Sequence, residues 1–315
     1  MKKTRDIYHK QHSRLIGYKP SMERFISMFS YKYFSIGKVS KNFIKNSKIL
    51  DVGCGDTAKV SIAMAGLGSK NITLSDIGTN WMPNVKKNLK LYNINKNFWK
   101  LKSASVIKLP FKDEEFDFVI CHGVLIHLSN IQDVKQAIKE LCRVTKKKGA
   151  IYIAVGSEGG LVEKSLLPSI RSFYGENKTF KKFIDNLSPN KIIDLILTKK
   201  KYRNISFKNK FNLNEKILKK LFDEDFCVTV QNLIQVPKRL SIKERFYIKE
   251  FKKHNIKKNY RLARFVPQNN IRNIFSHLHY LCNAGNAGLI KVDKFSLDLI
   301  SSIYGSGKQE YIFWK

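Results

Sequence analysis

The sequence predicts an α/β protein built on a doubly wound, mostly parallel sheet, and three observations carry that prediction. Short apolar runs alternate with helical stretches through residues 45–155, the pattern of strands joined by crossover helices. A glycine turn, Asp51-Val52-Gly53-Cys54-Gly55, closes the first of those runs. The run Phe116 to Cys121 is apolar except at its first turn, as a strand buried on both faces requires.

Taken in order, residues 1–44 read as a basic, helical N-terminal cover with an aromatic-rich stretch from Phe25 to Phe34. Lys48 to Gly53 holds the first strand, and Thr57 to Gly66, rich in Ala, Ile and Met, the first core helix. Asn71 to Asp76 is the second strand, Trp81 to Tyr92 the second helix, and Trp99 to Val106 a third strand leading into the turn Leu109-Pro110-Phe111. After the fourth strand, apolar residues recur at Ile131, Val134, Ile138, Leu141 and Val144, the spacing of an amphipathic helix. Ser129-Asn130 supply its N-cap. Lys146-Lys147-Lys148-Gly149 is expected to end it, with bases at the negative terminus and the glycine left-handed. Ala150 to Val155 is the fifth strand. Residues 156–225 read as a mostly helical insertion or cap, and residues 226–267 as a return to the core with a helix, Ser241 to His254, and a sixth strand, Tyr260 to Val266. A second insertion occupies 268–306, and residues 307–315 supply a last strand, Glu310 to Trp314.

Composition removes several classes. A hydrophobic content of 43% with 12% aromatics is enough to offset the entropy of ordering, so disorder is excluded; 17 Gly and 7 Pro exclude a collagen-like chain. No apolar run approaches the roughly 20 residues that span a bilayer, and MKKTRDIYHKQHSR lacks the apolar segment of a signal peptide, so a cytoplasmic location is expected. Cys54, Cys121, Cys142, Cys227 and Cys282 are dispersed, odd in number and never in a CxxC pair, against a disulfide framework or zinc ribbon. No His/Cys/Asp cluster has metal spacing, so no metal site is expected.

The glycine loop lies where doubly wound sheets bind ligands, outside the carboxyl ends of the strands, and its glycines let the backbone turn sharply and approach a ligand. Asp76 ends the second strand 21 residues past Gly55, a place from which an acid can accept hydrogen bonds from ribose hydroxyls. A dinucleotide enzyme would carry the same acid. The loop divides the two readings: Asp51-x-Gly53-x-Gly55 lacks the GxGxxG spacing suited to pyrophosphate, and an acid at its head repels phosphate and suits a cation such as a sulfonium amino acid.

With these residues the chain resembles the class I S-adenosylmethionine-dependent methyltransferases, particularly the broad type 11-like group reading D-x-G-C-G, L-P-F, F-D-x-V and G-V-L-x-H-L. Here those are Asp51 to Gly55, Leu109-Pro110-Phe111, Phe116-Asp117-Phe118-Val119 and Gly123 to Leu128. The resemblance is strong over residues 45–155 and falls to pattern level over 226–266 and 305–315. It implies a Rossmann-like seven-stranded sheet with its last strand antiparallel between the fifth and sixth, S-adenosylmethionine as cofactor, and methyl transfer by in-line displacement. It implies Asp51, Gly53 and Gly55 around the methionyl part, Asp76 on the ribose hydroxyls and Ile77 against the adenine. Ser105 and Val106 fall at the adenine edge, where the family often has an acid at the position of Ser105. Thr57 replaces a third glycine, and its hydroxyl is expected to cap the helix. Cys121-His122-Gly123 would face the methyl group, with Cys121 beside the cofactor. His122 is the candidate catalytic residue, a general base or a group that only shapes the pocket. His127 is expected to be structural, at the start of the following helix. No Asp/Asn-Pro-Pro-Tyr/Phe follows the fourth strand, which disfavours amino methylation of DNA bases.

The net charge is +34, and residues 1–48, Lys199 to Lys220 and Lys238 to Arg264 supply 27 of it. It therefore sits in elements that would cover the acceptor side. The leading acceptor is a small or carrier-linked molecule, such as a sugar, a polysaccharide precursor or another metabolite, methylated on O or N and anionic if the charge binds it. The alternative is RNA, with Tyr202, Phe207, Phe211, Phe246, Tyr247, Phe251 and Tyr260 stacking on bases instead of packing in a core. A third reading is a non-catalytic cofactor-binding or scaffold protein.

Overall fold

The apolar runs become a sheet of seven strands among the described residues: Ile49–Val52 (β1), Ile72–Asp76 (β2), Trp99–Ser103 (β3), Phe116–His122 (β4), Thr145–Val155 (β5), Lys258–Leu262 (β6) and Gln309–Trp314 (β7). The computed structural model describes residues 2–19, 37–156, 160–198, 215–236, 240–262 and 309–315, together with 22, 23, 26, 34 and 302. Strand order is β3-β2-β1-β4-β5-β7-β6. The first five pair in parallel, and β7 runs antiparallel between β5 and β6, as the resemblance implied.

Side chains alternate between two cores. On one face Phe118 and Ile120 of β4 join Tyr152, Ala154 and Ile312; on the other Val119 and Cys121 join Ile151, Ile153, Tyr311 and Phe313. The described helices are Lys2–His12 (α1), Lys41–Asn46 (α2), Lys59–Gly66 (α3), Met82–Leu91 (α4), Ile131–Val144 (α5), Leu167–Glu176 (α6), Lys178–Asp185 (α7), Pro189–Thr198 (α8), Glu215–Leu221 (α9), Glu224–Gln235 (α10) and Glu244–Lys252 (α11). α3 and α4 bury Ile62, Met64, Val85 and Leu89 in the first core, and α5 and α11 bury Val134, Ile138, Leu141 and Phe251 in the second. Arg143, near the end of α5, donates to the carbonyls of Leu109 and Phe111 and to Glu140, while Glu140 accepts from the Leu109 amide. That cluster pins the Leu-Pro-Phe turn to the helix.

Several expectations need correction. α5 is capped by Asn130, whose side chain accepts from the Asp133 amide, but its other end passes straight into β5 at an extended Thr145. The left-handed residue is Lys148, at φ 64°. Gly149 is required for space: a Cβ there would lie 2.8 Å from the Asp117 carbonyl. Thr57 does not cap α3. The cap position is Ala58, left-handed and without a side-chain bond, while the buried Thr57 offers its carbonyl to Asn88 at 2.5 Å. β3 stops at Ser103, because the chain turns so that Ser105 bridges Lys108. Tyr247 and Phe251 are buried, Phe251 stacked on Phe313 at 4.0 Å, and Phe246 and Tyr260 pack against the two cores. Packing, not base stacking, accounts for these aromatics. Tyr202, Phe207, Phe211, most of Phe25 to Phe34, the extension of β6 to Val266 and the insertion at 268–306 lie outside the described residues.

Candidate active site

A cavity of about 770 Å³ opens where β1, β2, β4 and β5 end. After β1 the chain must reverse over the sheet edge, and Gly53 and Gly55 take φ of 73° and 61°, which L side chains rarely adopt. A Cβ at Gly53 would stand 2.2 Å from Val124 Cγ2, so the loop fits its neighbour only without one. The amides of Gly53 and Cys54 donate to the Ser75 carbonyl at 2.7 and 3.0 Å.

Asp76 holds the loop from the next strand. One carboxylate oxygen accepts from the Gly55 amide at 2.9 Å and the other from the Ile77 amide at 2.6 Å. Burial raises its pKa, opposed by those two bonds. A carboxylate has about four lone-pair sites, so two remain for further donors. Asp76, Ile77, Ser105, Val106, Gly53, Gly55 and His122 all line the cavity.

Asp51 and Cys121 do not. The Asp51 carboxyl is turned into the core, where Ser61 Oγ donates to it at 2.7 Å and the other oxygen is buried without a partner. Burial pushes its pKa up to about 7. It braces the loop from beneath, so the expected direct contact with a cationic ligand is not its position here. Cys121 alternates onto the second core, fully buried, where burial pushes its thiol far above the range of a reactive cysteine.

A second wall comes from α1 and α10, which no sequence motif marks. Arg5, Tyr8, His9 and His12 stand at i, i+3, i+4 and i+7, a single helix face, and all line the cavity. Each of the last three is tied to a distant element: Tyr8 Oη to His127 Nε2 at 3.0 Å, His9 Nδ1 to Asp56 at 2.5 Å, and Asn232 of α10 to His12 Nε2 at 3.0 Å. His12 is neutral, its pKa lowered to about 4 by burial and by Lys59. His127 sits in a 3₁₀ turn, Leu125–His127, ahead of α5, and lines the cavity instead of serving only the helix start. The helical spacing of α1 was a readable signal; what that face met was not.

A methyltransferase domain family matches residues 50–153. The chain is 32% identical over 136 residues to the ubiquinone/menaquinone biosynthesis C-methyltransferase UbiE of Rickettsia massiliae, covering 42% of this chain and 52% of that protein. Over residues 50–153 the chain is therefore similar to the class I S-adenosylmethionine-dependent methyltransferase domain. The chain spans about half the length of the curated relatives it matches, the UbiE proteins of Rickettsia rickettsii and Rickettsia africae among them. The methyltransferase fold also recurs in PKMT2 from Rickettsia typhi, at TM-score 0.50 and 16% identity over 86% of this chain and 48% of that one, and in the same protein in complex with AdoHcy, at 0.50 and 14% over 86% and 49%. The cofactor of such a domain, S-adenosylmethionine, fits what is present: glycine backbone at Gly53 and Gly55 on the cavity wall, room beside Gly55, a carboxylate with unused acceptor sites at Asp76, and a cavity within the about 300–1,000 Å³ of ligand pockets. Among the described residues no helix is long and apolar enough to cross a membrane, and no group of His, Cys, Asp and Glu could hold a metal ion.

Proposed function

We propose that the chain transfers a methyl group from S-adenosylmethionine to a small or carrier-linked acceptor held between the glycine loop and α1. The observation that carries this reading is the conjunction of the Gly53–Gly55 loop with the Asp76 carboxylate on one cavity wall at the carboxyl end of the sheet, within residues matching this family. When bound, the cofactor supplies an electrophilic methyl group on a sulfonium centre. Asp76 accepts from the ribose hydroxyls with the lone pairs its two amide bonds leave. Ile77, 38% exposed on the wall, covers the adenine, with Ser105 and Val106 at its edge. Gly53 and Gly55 lie along the methionyl part, and Asp51 supports them from below. Alignment of an acceptor against the methyl group provides the main acceleration, and His122 takes the acceptor's proton.

The described wall argues for an acceptor recognised by shape and hydrogen bonds. Its charged side chains are Arg5 against Asp56 and Asp76, and no lysine lines it, so the basic excess does not converge on this cavity among the described residues. Ile126, Leu128, Val155 and Leu233 give it an apolar share. Nothing in this wall favours RNA.

Calorimetric titration with S-adenosylmethionine and S-adenosylhomocysteine tests the cofactor; both are expected to bind, and silence from both overturns the reading. Methyl-labelled S-adenosylmethionine, incubated with the protein and a fractionated extract, tests the acceptor class. Label is expected in the low-molecular-mass or carrier-linked fractions, and label confined to RNA would sink the proposal.

A further inference from the structure

The sheet register brings together three polar residues from strands far apart in sequence. His122 of β4 pairs with Ala154 of β5, and Ala154 with Glu310 of β7, one row across three strands. Tyr152 lies on the same face two residues before Ala154 and pairs with Ile120 and Ile312, so it is the diagonal neighbour of both polar residues, within reach of an aromatic side chain. Its hydroxyl stands 3.1 Å from His122 Nδ1 and donates to Glu310 at 3.2 Å. The imidazole and phenol rings stack, with centroids 5.8 Å apart and planes at 24°. Tyr152 and Glu310 are wholly buried, whereas His122 lines the cavity. Neither Tyr152 nor Glu310 is on the cavity wall, and neither belongs to the cofactor site described above.

The direction of these bonds has a chemical consequence. The Tyr152 hydroxyl is the donor in its bond to Glu310, so its proton points away from His122. The tyrosine oxygen is then an acceptor toward the ring, and the His122 nitrogen facing it must carry the proton. We propose that Tyr152 and Glu310 are positioning residues that hold His122 as its Nδ1–H tautomer, so that Nε2 keeps the lone pair a general base needs. This deepens the methyltransferase reading and rests on it for the identity of the proton donor. In the proton step the acceptor's O–H or N–H bond breaks, its electron pair stays on the acceptor atom, and the proton is bound by Nε2. The imidazolium so formed retains its Nδ1–H bond to Tyr152, whose hydroxyl stays bonded to Glu310. Nothing in the sequence marks the arrangement, since Tyr152 reads as a strand residue and Glu310 as the start of a strand.

Long-range proton–nitrogen NMR of the full chain, labelled with ¹⁵N in its histidine rings, reads the tautomer directly. In the wild-type protein His122 is expected to show a protonated Nδ1 and an unprotonated Nε2. In Tyr152→Phe that signature is expected to be lost, and in Glu310→Gln weakened. A wild-type His122 protonated at Nε2 overturns the proposal without any variant, and so does an unchanged tautomer in a folded Tyr152→Phe. Titration with S-adenosylhomocysteine keeps the two readings apart: both variants are expected to bind within about twofold of wild type. Loss of binding in the wild type would refute the cofactor reading and leave the tautomer result standing, whereas loss in the variants alone would show that the two residues serve the cofactor site and would overturn the positioning role.

Discussion

The glycine loop after β1 and the end of β2 meet the cavity with backbone held by the Asp76 carboxylate, whereas α1 and α10 meet it with side chains tied to remote elements, Asp56 among their partners. On the first wall Gly53, Gly55 and Asp76 are held by positive φ, by strand register and by amide bonds of 2.6–2.9 Å. On the second, His9, Tyr8 and His12 are tied by side-chain bonds to Asp56, His127 and Asn232. Backbone geometry admits no substitute, while single polar pairs can be lost one at a time. Damage is therefore expected to be abrupt on the loop wall and graded on the helix wall.

The largest effect is expected for Gly53→Ala. It places a methyl group at 2.2 Å from Val124 and strains a left-handed backbone, so denaturation should show a loss of about 3 kcal/mol or more and calorimetry no S-adenosylhomocysteine binding. Wild-type stability and affinity in this variant would mean that the loop is not the rigid side. Asp76→Ala comes next: two amides lose their acceptor and the ribose hydroxyls theirs, for about 3 kcal/mol, or roughly 100-fold weaker binding in a protein that still folds. Unchanged affinity would misplace the ribose. Removal of residues 2–12 should be milder, because Asp56 keeps its bond from Asn84 at 3.0 Å. Dissociation of S-adenosylhomocysteine about tenfold faster, by stopped flow, is the expected result, and a greater loss than in Asp76→Ala would invert the comparison.

The smallest effect sets a buried group beneath the loop wall, Asp51, against one on the helix wall, His12. Asp51 is raised from 3.8 to about 7, so between those values the folded protein keeps a proton the unfolded chain has released, and stability falls as pH rises. His12 is lowered from 6.5 to about 4, so across that window the unfolded chain holds the extra proton and stability rises with pH. The slopes oppose each other in the wild type. Asp51→Asn should leave the rising slope and His12→Gln the falling one, in urea titrations between about pH 4 and 6.5. Parallel curves for the two variants would remove this distinction between the walls.

β1, β2, β4 and the second half of β5 were legible as short apolar runs beside turns, the place of β7 between β5 and β6 followed from the resemblance, and β3 (WKLKS) and β6 (KNYRL) carry weaker, mixed patterns. Asp51 itself was legible as an acid but not in its direction: a side chain at a strand end can face cavity or core, and Ser61, ten residues on, decides it. The left-handed turn after α5 was placed one residue late because Gly149 answers a steric demand from Asp117 that no local pattern carries. α1 could be read as a helix with one histidine-rich face. Its target could not, since Asp56, His127 and Asn232 are brought to it only by the completed fold. The same holds for Tyr152 and Glu310, 158 residues apart.

The insertion of β7 between β5 and β6 has a consequence for the order in which the molecule is made. During synthesis the glycine loop, Asp76 and His122 emerge together with the strands that carry them, but both neighbours of β7 precede it and must keep their edges open until residues 309–315 arrive. A nascent chain can thus assemble the loops after β1 and β2 well before Glu310 reaches Tyr152. The site matures in two stages, and the strand that completes the sheet is also the one that brings the last member of the His122 chain.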